Sequence, residues 1–274
     1  MGRYAAWLLT IEDTYYNDGT PIINKEFVEE QLEKGADPET IQQEYYCSFK
    51  ASASGAWFKH SMKKVDDEER ITFVPQDIMI PTYGFYDLAQ GGIDLYTCIL
   101  AQFPKDEKVK IIDYFEMQGC SSGEFIDTVT SKHTVPIHFL PWDGGHTQDY
   151  VTESTSRVNK LKKEKGINII KVDRGKNVAD DVEICMRLMN YCWFDEGKCK
   201  KLINHLRNYK KKKNQSTGVY TNTEARDQHT HAAAAFRTLG LAWDRKIIPK
   251  HGGSSLREKI KSITAKTICN LGYN

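Results

Sequence analysis

Three stretches decide the fold: "MIPTYGFYDLA" at residues 79–89, "YTCILAQF" at 96–103 and "VKIIDYFEM" at 109–117. Each is short, bounded by polar or turn residues, and rich in the β-branched and aromatic side chains that suit a pleated surface. "PKDEK" between the last two is short and polar, as a hairpin loop should be. Downstream the pattern alternates. A helix is expected from about Ser122 to Lys132, then a strand in "VPIHFLPWD" at 135–143 and a helix in "TSRVNKLKKEK" at 155–165. A strand "INIIKV" at 167–172 precedes a helix from about Asn177 to Met189, and another covers about Lys198 to Asn208. The last, "HTHAAAAFRTLGLAW" at 229–243, holds four consecutive alanines, the strongest helix former. Three consecutive antiparallel strands followed by alternating helix and strand specify an α/β fold, a mixed sheet with helices on both faces.

Upstream, residues 1–70 read as a mainly helical attachment. "NKEFVEEQLEKG" at 24–35 has Asn24 as a candidate N-cap and Phe27, Val28, Gln31 and Leu32 along one face. After Gly35, "DPETIQQEYY" places Pro38 at the first helical position, where its missing N–H costs nothing. "ASASGAW" and "DDEER" read as a connector and an exposed turn. The expected divisions are therefore 1–70, a core at 71–245, and a tail at 246–274 that opens on the linker-like "KHGGSS".

Composition narrows the class. Of 274 residues, 40% are hydrophobic and 27% charged, which is globular. Seven cysteines are irregularly spaced and form no CxxC pair, so reduced thiols are expected and a zinc site is not. No apolar run is long enough for a membrane span, and no basic-then-apolar leader opens the chain, so neither membrane insertion nor secretion is expected. A net charge of +1 excludes a uniformly basic nucleic-acid binder but not a segregated one. "RVNKLKKEK" at 157–165 and "RNYKKKK" at 207–213 are basic, so Lys160, Lys162, Lys163, Lys210, Lys211, Lys212 and Lys213 are candidate phosphate contacts. A lysine run equally suits a solvated surface.

Asp87 closes the first strand, just before "AQGG", and Asp143 closes the fourth, in "LPWDGG". A three-strand meander leaves its first strand free to pair with the next parallel arrival, so strands one and four should be neighbours. Neighbouring strands lie ~4.8 Å apart, close enough for two terminal carboxylates to share divalent ions. Asp before Gly is also ordinary turn chemistry, so the pair gains meaning only with a third ligand. The helix after Asp227 offers His229 and His231, then alanines. Asp94, in "GGIDLYT", reads as a turn residue or a partner of such a site.

At this point the chain resembles the C-terminal part of the large terminase subunit of tailed bacteriophages. "TIQQEYYCSFKASASGAWF" resembles the close of that family's ATPase region, and "YDLAQGGIDLYTCIL" and "HFLPWDGG" its two catalytic strands. "STSRVNKLKKEKGINIIKV", "RLMNYCWFDEGKCKKLINHLRNY" and "DQHTHAAAAFRTLG" continue in the family's order, so the resemblance spans about residues 27–243. It implies a ribonuclease H-like nuclease domain, preceded by the tail of the ATPase region. Its catalytic acids would stand on the first strand, the fourth strand and a late helix. The family's last motif runs His-Ala-Ala-Asp-Ala-Phe-Arg, whereas residues 231–237 here have Ala234 in place of the aspartate. His231 and Ala234 are three apart and share a helix face.

The resemblance thus implies a two-metal-ion endodeoxyribonuclease that cuts concatemeric viral DNA. Asp87, Asp143, His231 and position 234 would hold two Mg²⁺ or Mn²⁺ ions, and Ala234 reads as a deliberate inactivation, with natural loss of the acid as the alternative. The implied partners are double-stranded viral DNA, the terminase small subunit, the portal protein and the procapsid, in the host cell cytoplasm and with no membrane. No GxxxxGK[ST] phosphate loop is present, so ATP hydrolysis is not expected from these residues. Two rivals stand beside this reading. One is a non-catalytic docking module that contacts the portal or the ATPase domain. The other is a different ribonuclease H-like enzyme, such as a transposase or resolvase, against which "QEYYCSF" argues.

Overall fold

The computed structural model describes residues 8–34, 38–47, 55–88, 94–141 and 157–249. The chain begins with α1 (Lys25–Glu33) and α2 (Pro38–Glu44). Asn24 caps α1, its Oδ1 accepting from the Phe27 N–H at 2.9 Å. Only Val28 of the expected apolar face is buried; it packs with Ile11 and Ile41 in a small cluster of their own, while Phe27 and Leu32 are exposed.

Then come α3 (Lys59–Asp67), β1 (Ile71–Thr72) and the expected meander: β2 (Tyr83–Asp87), β3 (Leu95–Gln102) and β4 (Val109–Gln118). β2 pairs antiparallel with β3, and β3 with β4. α4 (Ser122–Lys132) starts on a reciprocal cap, with the Ser121 hydroxyl accepting from the Glu124 N–H and the Glu124 carboxylate from the Ser121 N–H. β5 (His138–Pro141) returns parallel to β2, as the sequence reading required of strands one and four. α5 (Arg157–Lys165), β6 (Ile169–Val172) and α6 (Val178–Met189) follow, with β6 parallel to β5. After β7 (Cys192–Asp195) and α7 (Lys200–Asn208) come a ribbon of β8 (Lys211–Lys213) and β9 (Tyr220–Glu224), then α8 (Thr230–Asp244).

The main sheet has seven strands in the order β1-β7-β4-β3-β2-β5-β6. Alternation along each strand divides its two faces. Tyr83, Phe85, Ile99, Ala101, Ile111 and Phe139 face one cluster, which α3, α6, α7 and α8 cover. Tyr86, Cys98, Leu100, Ile112 and Leu140 face the other, covered by Phe125, Ile126 and Val129 of α4 and Leu161 of α5. Helices thus lie on both faces of a mixed sheet, as expected.

Several elements escape the sequence reading. β7 is four residues, too short to show a period, and it extends the sheet by pairing parallel with β4 and β1. The "KKK" of β8 has no apolar alternation; it is a strand because β9 pairs with it. Upstream of the expected division at residue 70, Phe58, Met62 and Val65 are fully buried in the main core, and the buried Arg70 guanidinium donates to the carbonyls of Met189 and Cys192. "DDEER" spans the last two residues of α3 and the turn after it, while the inner face of the helix, with Met62 and Val65, is apolar.

Candidate active site

β2 ends at Asp87, which is 9% exposed. Strand register sets Asp87 opposite Thr97 and Thr97 opposite Glu116, so the three form a row across β2, β3 and β4. Residues directly opposite point to one face, here the face that carries α8. The four alanines of α8 are all buried, and their small volume lets the helix backbone approach the sheet closely. Two threonines fasten it there. Thr97 Oγ1 donates to the His231 carbonyl at 3.0 Å, and Thr238 Oγ1 donates to the Tyr86 carbonyl at 3.2 Å.

This docking brings His231 Nδ1 to 2.9 Å from Asp87 Oδ2. The hydrogen bond to that carboxylate holds the His231 pKa above its ordinary value, outweighing the opposing effect of burial. Asp94 adds to the same upward push through its charge, which places it near the site. From the other side Arg174, just past β6, brings its Nη2 to 3.9 Å from Asp87 Oδ1. Ala234 lies one turn along α8 from His231 and lines a small cleft with Pro141, Arg174, Asp181, Arg237 and Thr238.

At the far end of the row, Glu116 accepts from Lys201 Nζ at 2.6 Å and from Tyr114 Oη at 3.1 Å, and pairs with His205 Nε2 at 3.0 Å. The His205 bond is the main reason that its pKa falls to about 2. His205 Nδ1 in turn lies 3.0 Å from His229 Nδ1. His229 is therefore a network member just before α8, and burial depresses its pKa.

The β2–β5 register matches Phe85 with Phe139, so Pro141, two residues on, ends β5 beside Asp87. Asp143 is two residues further and lies outside the described residues. Among the lysines, Lys211, Lys212 and Lys213 form β8, and Lys210 bridges to Ala56. Lys211 Nζ sits 4.5 Å from the Trp57 ring centroid. The ribbon is tied to α8 through Glu224 of β9, which accepts from Tyr209 Oη at 2.6 Å and pairs with Arg237 at 3.4 Å. Lys160, Lys162 and Lys163 belong to α5, whose Leu161 packs on the opposite face of the sheet.

The overall fold is similar to that of solved structures. The P22 large terminase nuclease domain aligns at a TM-score of 0.50 and 13% identity, over 66% of this chain and 94% of that one. A large terminase from a thermophilic bacteriophage aligns at 0.50 and 14% identity, over 81% of this chain and 53% of that one. The fold is that of a phage large-terminase nuclease domain. The chain spans about half the length of that thermophilic terminase. The large terminase nuclease of another thermophilic phage, G20c, solved with bound magnesium and again with bound cobalt, aligns at TM-scores of 0.47 and 0.45 and 11% identity, over 69% of this chain and 97% of that one in each case. No family model and no curated protein sequence matches the chain.

Within this terminase-nuclease fold, Asp87 stands at a strand end with one oxygen toward α8 and the other toward Arg174. Among the described residues no three His, Cys, Asp or Glu side chains converge to hold a metal ion. The small cleft beside Ala234 itself carries one carboxylate, Asp181, and two guanidiniums, Arg174 and Arg237. Thr97, Glu116, Arg174 and Asp181 carry no sequence signal for this site. Register and the crossing of α8 and α6 bring them to it, and only a correct pairing of β2, β3 and β4 would have pointed to the Asp87–Thr97–Glu116 row.

Proposed function

We propose that the chain is the metal-dependent endodeoxyribonuclease portion of a phage DNA-packaging terminase, acting on concatemeric viral DNA in the host cell cytoplasm. The observation that carries this is Asp87, at the end of a strand neighbouring β5 and hydrogen-bonded to His231 of α8, in a terminase-nuclease fold. Asp87 and Asp143 would hold two Mg²⁺ or Mn²⁺ ions, with His231 and a carboxylate at position 234 completing the set. When bound, such a pair of ions lowers the pKa of an attacking water and stabilises the leaving 3′ oxygen of a phosphodiester. Thr97 and Thr238 fix the helix that carries the last two positions. With Nδ1 turned to Asp87, it is Nε2 of the neutral His231 ring that would serve a metal, so a doubly protonated ring could not. The β8–β9 ribbon, joined to α8 through Glu224 and Arg237, would set Lys210–Lys213 along the DNA backbone without reading sequence.

Ala234 supplies no ligand, so this form is expected to cleave weakly or not at all. Its partners would be viral duplex DNA, the terminase small subunit, the portal protein and the procapsid; no helix among the described residues is long and apolar enough to cross a membrane. The same alanine favours a second reading, a docking module that keeps the fold and contacts the portal or ATPase domain. Ala234→Asp separates the two. With Mn²⁺ and plasmid DNA, the variant of a nuclease regains cleavage with weak sequence preference, whereas a docking module stays inert. Equal activity of the two forms would remove position 234 from the ligand set.

A further inference from the structure

The four lysines of the β8–β9 ribbon are not equivalent. Two of their ammonium groups are held on aromatic rings: Lys211 Nζ sits 4.5 Å from the Trp57 ring centroid and Lys213 Nζ 5.8 Å from that of Tyr220. Lys210 and Lys212 are exposed, and among the described residues their side chains make no ion pair and no ring contact. The run therefore divides into held and open cations.

The rings are fixed from the segment before α3. Trp57 is buried in the main core, and its N–H donates to the Tyr209 carbonyl at 2.8 Å. The Lys211 N–H donates to the Gly55 carbonyl at 3.0 Å, and Ala56 bridges antiparallel to Lys210. The Lys210 carbonyl accepts from the Ala225 N–H, just past β9, at 3.0 Å. The C=O and N–H of one trans peptide unit point opposite ways, so β8 has β9 along one edge and residues 55–57 along the other. Gly55 has a φ of +74°, and a Cβ there would collide with the Tyr220 ring, so that ring rests on bare backbone. The root of the ribbon lies beside α8. The Ala225 carbonyl accepts from Thr230 Oγ1 at 3.2 Å, and Thr230 opens α8 one residue before His231. Burial first, and then the charges of His205 and Lys210, hold the His229 pKa below its ordinary value, so the Lys210 ammonium acts within range of that helix start.

We propose that Trp57 and Tyr220 are positioning residues for duplex binding: by holding Lys211 and Lys213 on their rings they fix the ribbon beside the start of α8, which leaves Lys210 and Lys212 to meet the DNA phosphates. The inference rests on the reading of the ribbon as a DNA contact and divides its lysines by role. An ammonium on a ring reaches a phosphate only by leaving that ring. An exposed one with no protein partner exchanges only water, and the phosphate it neutralises releases counterions.

The test is duplex DNA binding by the whole chain across a salt series, with one substitution at a time. Lys210→Ala and Lys212→Ala should each flatten the log–log slope by about 0.9. Lys211→Ala and Lys213→Ala should keep the slope and weaken binding about two- to fivefold at fixed salt, the size of one exposed cation–π contact. Tyr220→Leu should match Lys213→Ala, and Tyr220→Phe, which keeps the ring, should bind like the unsubstituted chain. A ring that only stabilised the fold would not separate affinity from slope in this way. Equal slope losses at all four lysines overturn the inference, as does undiminished affinity in a folded Tyr220→Leu variant. Should circular dichroism show that variant unfolded, a slope loss in Lys213→Ala equal to that in Lys212→Ala overturns it instead. No change in slope or affinity for any of the four lysines overturns the DNA reading of the ribbon as well.

Discussion

His231 and Ala234 stand one turn apart on α8, and of the two only His231 titrates. The Asp87 hydrogen bond raises the His231 pKa from 6.5, so the protonated ring is favoured in the folded state. A group raised in this way contributes stability that is fully present below its unfolded value and is lost as pH rises through its folded value. Metal binding runs the opposite way, because the proton competes with the cation. Mn²⁺ affinity should therefore rise as pH increases past 6.5, and His231→Gln should flatten that profile. An identical profile in the variant would detach His231 from the metal site. His138 carries the reverse sign. Burial pushes its pKa down to about 4, so its share of stability is present above 6.5 and is lost as pH falls toward that value. Thermal unfolding of the chain should consequently come earlier on acidification.

At the scale of single elements, the β8–β9 ribbon and α4 make contrasting tests. The ribbon's lysines bear on function. Replacing Lys210–Lys213 with alanine should weaken duplex binding and flatten its salt dependence, by about 0.9 in the log–log slope for each phosphate that a lysine no longer neutralises. An unchanged slope would make the run solvated surface and move the DNA path elsewhere. Such a variant also removes the cation that sits over the Trp57 ring, so its fold should be checked by circular dichroism. α4, by contrast, covers the face away from Asp87, and its reciprocal cap bears on stability alone. Ser121→Ala should cost about 1 kcal/mol in denaturant unfolding and leave metal and DNA binding untouched.

For the whole molecule the question is where the folding unit begins. Phe58, Met62 and Val65 are fully buried in the core that contains Phe85, Phe194 and Phe236. Each is worth about 1.5–3 kcal/mol of burial, so losing all three removes several kcal/mol from a stability of about 5–15. A chain starting at residue 55 should fold cooperatively, whereas one starting at residue 71 should not. Cooperative unfolding of the shorter chain would restore the boundary drawn from the sequence.

What the residues alone determined is what neighbours in the chain can determine. The strands β2, β3 and β4 are legible because alternation and β-branched side chains act over a few residues. α4 and α6 are legible because Ser121 and Asn177 cap them locally. Asp87 was legible as a carboxylate at a strand end, and Ala234 as an absence within a familiar motif. Tertiary structure decided the rest. Phe27 and Leu32 lie on the expected face of α1 yet remain exposed, since a pattern states which side is apolar and not whether anything covers it. β1 and β7 are strands because partners far along the chain complete their ladders, as with Ile71 opposite Phe194. Arg174 reaches the end of β2, and Thr97 and Glu116 line up with Asp87, only when β2, β3, β4, β5 and β6 pair in one sheet. Convergence of that kind depends on long-range pairing, and no local period or cap encodes it.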